Sequence, residues 1–180
     1  MYNEKSFLTV ESTLSSMTQS SIPLTFPLPH PDDTDALATR LAKAIELARA
    51  DWFDSGLVLT FDGDLGAGKT TFARALLRAW GFRGPVKSPT FSLVETYPVL
   101  EATLNHFDFY RFESPYEFDE AGMRDLFGRA QICITEWTEK ARPFVPEADI
   151  VLSLRVDGLG RQARLEALST TGQKIIGHLS

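Results

Sequence analysis

Residues 63–70 read Gly63-Asp64-Leu65-Gly66-Ala67-Gly68-Lys69-Thr70, a complete G-x-x-x-x-G-K-T phosphate-binding loop. This pattern demands a strand before it and a helix after it. Its glycines adopt backbone angles closed to other residues and let the chain approach a polyphosphate closely. Successive N–H groups then point into the anion, at the positive end of the following helix. Lys69 supplies a point charge for the outer phosphates, and the Thr70 hydroxyl can ligate Mg²⁺. Both flanks fit. Residues 57–61 form a short apolar run entering the loop, and residues 71–80, beginning at Thr71, carry a helical pattern leaving it. The segment predicts a site for a nucleoside triphosphate.

Around this motif the chain alternates between helix and strand signals. Residues 22–31 hold four prolines among apolar residues, which predicts an edge strand followed by a turn. A helix is expected from Asp33, capped by Asp32 or Asp33, with Leu37, Leu41, Ile45 and Ala48 on one face. Residues 51–56 should turn the chain into the strand before the phosphate loop. Residues 81–89 are rich in Gly and Pro and read as loop. Residues 91–97 and 104–110 are expected as strands, 117–129 as a helix opened by Ser114-Pro115, and 131–135 as a buried strand. Residues 150–156 and 161–169, joined by Asp157-Gly158-Leu159-Gly160, predict an antiparallel C-terminal hairpin. Together these elements predict a single α/β domain, a P-loop NTPase-like mixed sheet flanked by helices, over residues 22–180. The first 21 residues contain nine Ser or Thr and little hydrophobic periodicity. They lack the features of a signal or transit peptide, and a disordered leader or an upstream start codon is expected there.

Composition narrows the function. A formal charge of −6 disfavours a large basic nucleic-acid surface, so any RNA is expected to be held by a partner. No run of 18 apolar residues suggests a membrane span. Cys133, the sole cysteine, precludes an internal disulfide framework and suits a reducing cytoplasm. Its apolar strand context makes it a core residue rather than a nucleophile. His30, His106 and His178 show no metal-ligand spacing.

Hydrolysis needs a second group to hold Mg²⁺ or orient water. Glu136 follows an apolar strand, where a metal-coordinating acid of this fold class belongs, at the carboxyl edge of the sheet. Asp108 is a second candidate, for a water-mediated metal contact or partner coupling. Thr90 follows a Gly/Pro-rich loop, a suitable place for a switch sensing the terminal phosphate. Trp137 can stack on a base or fill the core.

Several of these segments, in this order, resemble the TsaE (YjeE) family of bacterial ATPases. They are residues 63–71; residues 86–95, containing Ser88-Pro89-Thr90-Phe91; His106-Phe107-Asp108-Phe109-Tyr110-Arg111; Ile134-Thr135-Glu136-Trp137; and Gly160-Arg161-Gln162-Ala163-Arg164. The resemblance spans roughly residues 23–180. It implies an ATP- and Mg²⁺-binding component of the machinery that makes N6-threonylcarbamoyladenosine in tRNAs reading codons that begin with A. It further implies action with the TsaB–TsaD heterodimer, downstream of a TsaC-type threonylcarbamoyl-adenylate synthase, with TsaD performing the transfer. By position, Lys69 matches the phosphate-binding lysine, Thr70 and Glu136 the magnesium ligands, and Arg161 a nucleotide contact. Thr90 and Asp108 fall in switch-like segments. The family's N-terminal nucleotide contacts, around Asp33 and Thr34, are left unplaced by the sequence. The alternative is a small-molecule P-loop kinase, which would need an arginine-bearing lid; Arg124 and Arg129 are the arginines available for one. A guanine-reading Asn/Thr-Lys-x-Asp segment is absent, which disfavours a GTPase.

Overall fold

A computed structural model describes residues 22–179; the expected leader lies outside the described residues. Seven strands form one mixed sheet: β1 (Leu24–Leu28), β2 (Leu57–Asp62), β3 (Val94–Val99), β4 (Ala102–Asp108), β5 (Gln131–Glu136), β6 (Ile150–Asp157) and β7 (Gly160–Ala167). Their order across the sheet is β1-β7-β6-β2-β5-β4-β3. At the centre, β2 runs parallel to β5 on one side and to β6 on the other, and β4 runs parallel to β5. The outer pairs β3–β4, β6–β7 and β1–β7 are antiparallel. The mixed sheet and the C-terminal hairpin match the sequence expectation.

Side chains alternate across this sheet with a period of two. Leu57, Leu59 and Phe61 of β2, with Ile132 and Ile134 of β5, face a core closed by the helices α1 (Pro31–Leu47), α2 (Arg49–Trp52), α3 (Lys69–Ala79) and α5 (Thr170–Gly177). Val58, Phe107 and Cys133 face the opposite side. That face is covered by a short helix α4 (Glu117–Glu120), two 3-10 turns (Met123–Leu126 and Thr138–Ala141) and the connecting chain. A ring cluster of Phe107, Phe109, Phe118 and Phe127 fills that side in place of long helices.

Several boundaries differ from the sequence expectation. Helix α1 starts at Pro31, and the cap is His30 rather than Asp32 or Asp33. Pro31 suits the first turn because its missing N–H has no partner there anyway. Asp33 instead acts from inside the helix, its carboxylate accepting the His30 backbone N–H at 2.8 Å. The expected α1 face of Leu37, Leu41, Ile45 and Ala48 is buried. The chain after Ala48 makes the short helix α2 where only a turn was expected, anchored by the buried Trp52, whose indole N–H donates to the Ile45 carbonyl at 2.8 Å. The helix expected over 117–129 is broken into α4 and a 3-10 turn. Gly122 and Gly128, at φ 65° and 109°, take left-handed angles that an α-helix cannot contain. Strand β3 starts at Val94 and β4 stops at Asp108, three residues later and two earlier than expected.

Helix α5 was not anticipated, and the expected strand 161–169 ends at Ala167. Ser169 caps α5, its hydroxyl accepting the Gly172 N–H at 3.0 Å while donating to Asp149 at 2.5 Å. Asp149 also accepts the Val58 N–H at 2.9 Å, so one carboxylate ties α5 to the central strand. Ser169→Ala is expected to lower stability by about 1–2 kcal/mol, read from the urea unfolding midpoint, without altering nucleotide binding.

Candidate functional site

The carboxyl ends of β2, β5 and β4 meet beneath the phosphate loop. The register places Phe61 opposite Glu136 and Glu136 opposite Asp108. Paired residues share a face of a sheet, so Glu136, Asp108 and, two residues earlier, His106 all lie on the α3 side. With β5 and β6 on opposite flanks of β2, this edge is a topological switch point, where ligands collect in open α/β sheets.

The loop itself is shaped by its glycines. Gly63 has φ 149°, and a Cβ there would lie 2.5 Å from the Leu154 carbonyl oxygen on β6. Gly66 and Gly68, at φ 80° and 108°, face open space: no atom lies within 4 Å of where a Cβ would stand. Helix α3 starts directly at Lys69, so Lys69 and Thr70 belong to its first turn. The first-turn N–H groups have no partner within their own helix and are available to an anion.

Lys69 is only 6% exposed. Its Nζ donates to the carbonyls of Gly63 at 2.6 Å and Asp64 at 3.1 Å, lies 3.7 Å from Glu136 Oε2, and sits over the Trp137 ring at 5.1 Å from its centroid. Glu136, 4% exposed, is no solvated strand end. Its Oε1 meets His106 Nε2 at 2.8 Å. Asp108 uses different donors: Thr90 Oγ1 at 2.6 Å and the Tyr110 N–H at 2.9 Å. Thr90 also meets Ser88 Oγ at 2.9 Å, and its carbonyl accepts from Arg111 Nε at 2.9 Å.

Leu65, Gly66, Gly68, Lys69, Thr70, Thr71, Thr90, Asp108 and Glu136 thus line one cavity of about 390 Å³, with Ser88, Tyr110 and Trp137 completing the wall. Trp137 is half-buried against Tyr110, with φ 55°, so it is neither an enclosed core indole nor fully exposed. Arg161 lies on the other side of the loop. Its Nε donates to the Ala67 carbonyl at 3.1 Å, and it borders a second cavity of about 230 Å³ with Leu28, Pro29, Thr34 and Leu154. Gly68 and Thr71 line both cavities, so the phosphate loop is the wall between them. Thr34, unplaced by sequence, lies in this second cavity; Asp33 is engaged in capping α1. Neither Arg124 nor Arg129 lines a cavity around the loop: each is paired to an acid, Asp119 and Asp54.

The donor chemistry suits a polyphosphate with a small, hard cation. The open space beside Gly66 and Gly68 leaves room for phosphate oxygens near a buried ammonium. Thr70 and Glu136 offer oxygen ligands in the same cavity, and Mg²⁺ takes one or two such protein oxygens while phosphates and waters complete its shell. Among the described residues no cluster of three or more His, Cys, Asp or Glu could hold a metal alone.

Cys133, on the opposite face, is 1% exposed. Burial pushes its thiol up from 9.0 to about 12, against a smaller lowering by Asn105.

A sequence model of the family described as "Threonylcarbamoyl adenosine biosynthesis protein TsaE" matches residues 28–164. The chain belongs to the TsaE family. A TsaE from Haemophilus influenzae is 40% identical over 127 residues, covering 71% of this chain and 80% of its own. A Rickettsia felis TsaE is 31% identical over 144 residues, covering 79% and 78%. The crystal structure of Bacillus subtilis YdiB superposes with a TM-score of 0.67 at 26% identity, covering 88% of this chain and 94% of that one. The TsaE fold expected from sequence is therefore the fold observed.

What sequence reasoning missed is His106. It belongs to the segment His106–Arg111 and lacks metal-ligand spacing, and the sequence gives it no role of its own; yet it stands two residues before Asp108 in a strand, a spacing that puts both on the same face. The cavity beside Arg161 was also missed, because Leu28 and Thr34 come from elements remote in sequence.

Gly63→Ala should cost about 2–3 kcal/mol in urea unfolding, whereas Gly66→Ala, with space but a left-handed φ, should cost about 1–2 kcal/mol. Cys133 should remain silent to a thiol reagent at pH 8 until the chain is unfolded. Because the unfolded thiol ionises well before the folded one, its contribution to stability should fall as pH rises from about 9.0 towards about 12.

Proposed function

We propose that this chain is a Mg²⁺-dependent ATPase whose nucleotide cycle supports formation of N6-threonylcarbamoyladenosine in tRNA, acting in the cytoplasm with the TsaB–TsaD heterodimer. The observation that carries the reading is the convergence of Lys69, Thr70, Thr90, Asp108 and Glu136 on one cavity at the carboxyl edge of three parallel strands. Membership of the TsaE family, and the name shared by its relatives, support the pathway. No helix among the described residues is long and apolar enough to cross a membrane.

In this reading the two cavities divide one nucleotide. The apolar lining of Leu28, Pro29 and Leu154 beside Arg161 takes the nucleoside, and the loop from Gly63 to Thr71 carries the phosphates into the larger cavity. Lys69 exchanges two loop carbonyls for phosphate oxygens, a stronger charge-assisted contact. Thr70 and Glu136 would hold Mg²⁺, which neutralises charge developing on the phosphoryl oxygens. Glu136 also orients the attacking water. Thr90 and Asp108 bond to each other at the cavity wall, so a terminal phosphate competing for the Thr90 hydroxyl loosens that bond and changes the loop carrying Phe91. Phe91 is 84% exposed, with the Arg111 guanidinium over its ring at 4.2 Å, giving the switch an apolar group to present to TsaB–TsaD. tRNA is held by that partner complex.

Lys69→Ala should weaken ATP binding by about 10–100-fold, the loss of a charged hydrogen-bonding group, in a nucleotide titration. Glu136→Ala should retain binding while hydrolysis falls by about 10²–10³-fold. Hydrolysis should rise when TsaB–TsaD is added. Modified adenosines are then counted per heterodimer, with threonylcarbamoyl-adenylate and tRNA supplied. If multiple turnover is equal without this chain, the reading fails and a small-molecule kinase becomes the better account.

A further inference from the structure

We propose that His106 is a positioning residue that aims the Glu136 carboxylate, an inference resting on the role given to Glu136 above. His106 is fully buried in the middle of the sheet, facing α3. It stands diagonally across the β4–β5 ladder from Glu136, and Nε2 lies 2.8 Å from Oε1. An ionised carboxylate only accepts, so the ring donates from Nε2. The other nitrogen, Nδ1, is buried and has no hydrogen-bond partner among the described residues.

That imbalance is informative. A histidine retained for the fold would be expected to satisfy both nitrogens, since a buried polar atom left unpaired is destabilising. A position needing only volume would be served by Phe or Leu, as at Phe107 and Leu104 beside it. Among the described residues, the one polar bond of this ring goes to Glu136. It occupies Oε1 and leaves Oε2 turned towards Lys69, 3.7 Å away, at the wall of the phosphate cavity. The carboxylate is therefore clamped in one orientation from behind. Groups behind a ligand act in this way at metal sites: they fix the ligand's geometry without touching the metal.

The test compares His106→Phe, which keeps bulk and removes the donor, with His106→Gln, whose amide nitrogen can stand near the position of Nε2. Three readouts are taken on the full chain: affinity for a fluorescent ATP analogue in EDTA, the Mg²⁺ concentration giving half-maximal effect on that binding, and hydrolysis. His106→Phe should leave the EDTA affinity within about threefold and raise the Mg²⁺ requirement by about 10–100-fold, with hydrolysis reduced. His106→Gln should recover most of both. Combined with Glu136→Ala, His106→Phe should add nothing further, because its effect passes through that carboxylate. Wild-type Mg²⁺ dependence in His106→Phe, equal losses in both His106 variants, or additive losses in the double variant would each overturn the proposal.

Glu136→Ala alone is the reference. If it leaves Mg²⁺ dependence and hydrolysis unchanged, the assignment of Glu136 fails, and the His106 proposal with it. If it impairs both while His106→Phe does not, only the His106 proposal fails. Should His106→Phe not fold, ring ¹⁵N spectra of the protein itself decide. The Nε2 signal should move on Glu136→Ala and on addition of Mg²⁺–nucleotide; an unmoved signal rejects the clamp.

Discussion

The parallel pairing of β2 with β5 is the constraint on which this molecule depends. The residue after β2 opens the phosphate loop, and the last residue of β5 is Glu136. Their register, Phe61 against Glu136, therefore decides that acid and loop stand side by side. A shift of one residue would turn Glu136 to the opposite face, among Cys133 and the phenylalanine cluster, because side chains alternate along a strand. The apolar residues that precede it, Ile132 and Ile134 on one face and Cys133 on the other, hold that register by burial. Core packing and site geometry are thus set by the same pairing.

The neighbouring pair, Glu136 against Asp108, would place two carboxylates at the end of adjacent strands, an arrangement that is unfavourable without compensation. The structure separates them by their donors. Glu136 is held between His106 and Lys69, while Asp108 is held by Thr90 and the Tyr110 N–H. This division underlies the two roles proposed for them. Both acids line the same cavity, but Glu136 is bonded to His106 on the neighbouring strand and faces Lys69, whereas Asp108 is bonded to the loop that carries the exposed Phe91. In the proposed cycle, a change at bound phosphates would reach the surface through the short path from Thr90 to Phe91.

The two faces of the sheet differ in a way that suits this arrangement. Long helices cover the α3 face and give the phosphate loop a rigid base. The opposite face is closed by short turns and stacked phenylalanines, including Phe107 and Phe109, which flank Asp108 in the chain. Aromatic burial there compensates for the lack of long helices on that face among the described residues, since each ring removes a large area from water.

The loop from Gly63 to Thr70, the mixed sheet, the hairpin and the acids Asp108 and Glu136 were legible in the sequence because each is written in local pattern. Glycine spacing, strand periodicity and a polar residue ending an apolar run need no knowledge of distant contacts. The break at Gly122, the helix α5 and the capping by His30 were not legible. In each, a short stretch with mixed propensity is decided by what it packs against or bonds to, as Ser169 is by Asp149. The sequence by itself determined which residue types could meet a phosphate and a divalent ion. Only the tertiary structure decided which donors each acid received, that Arg161 borders a separate cavity, and that His106 stands behind Glu136. Those relations cross between strands far apart in the chain, and sheet register rather than local propensity sets them.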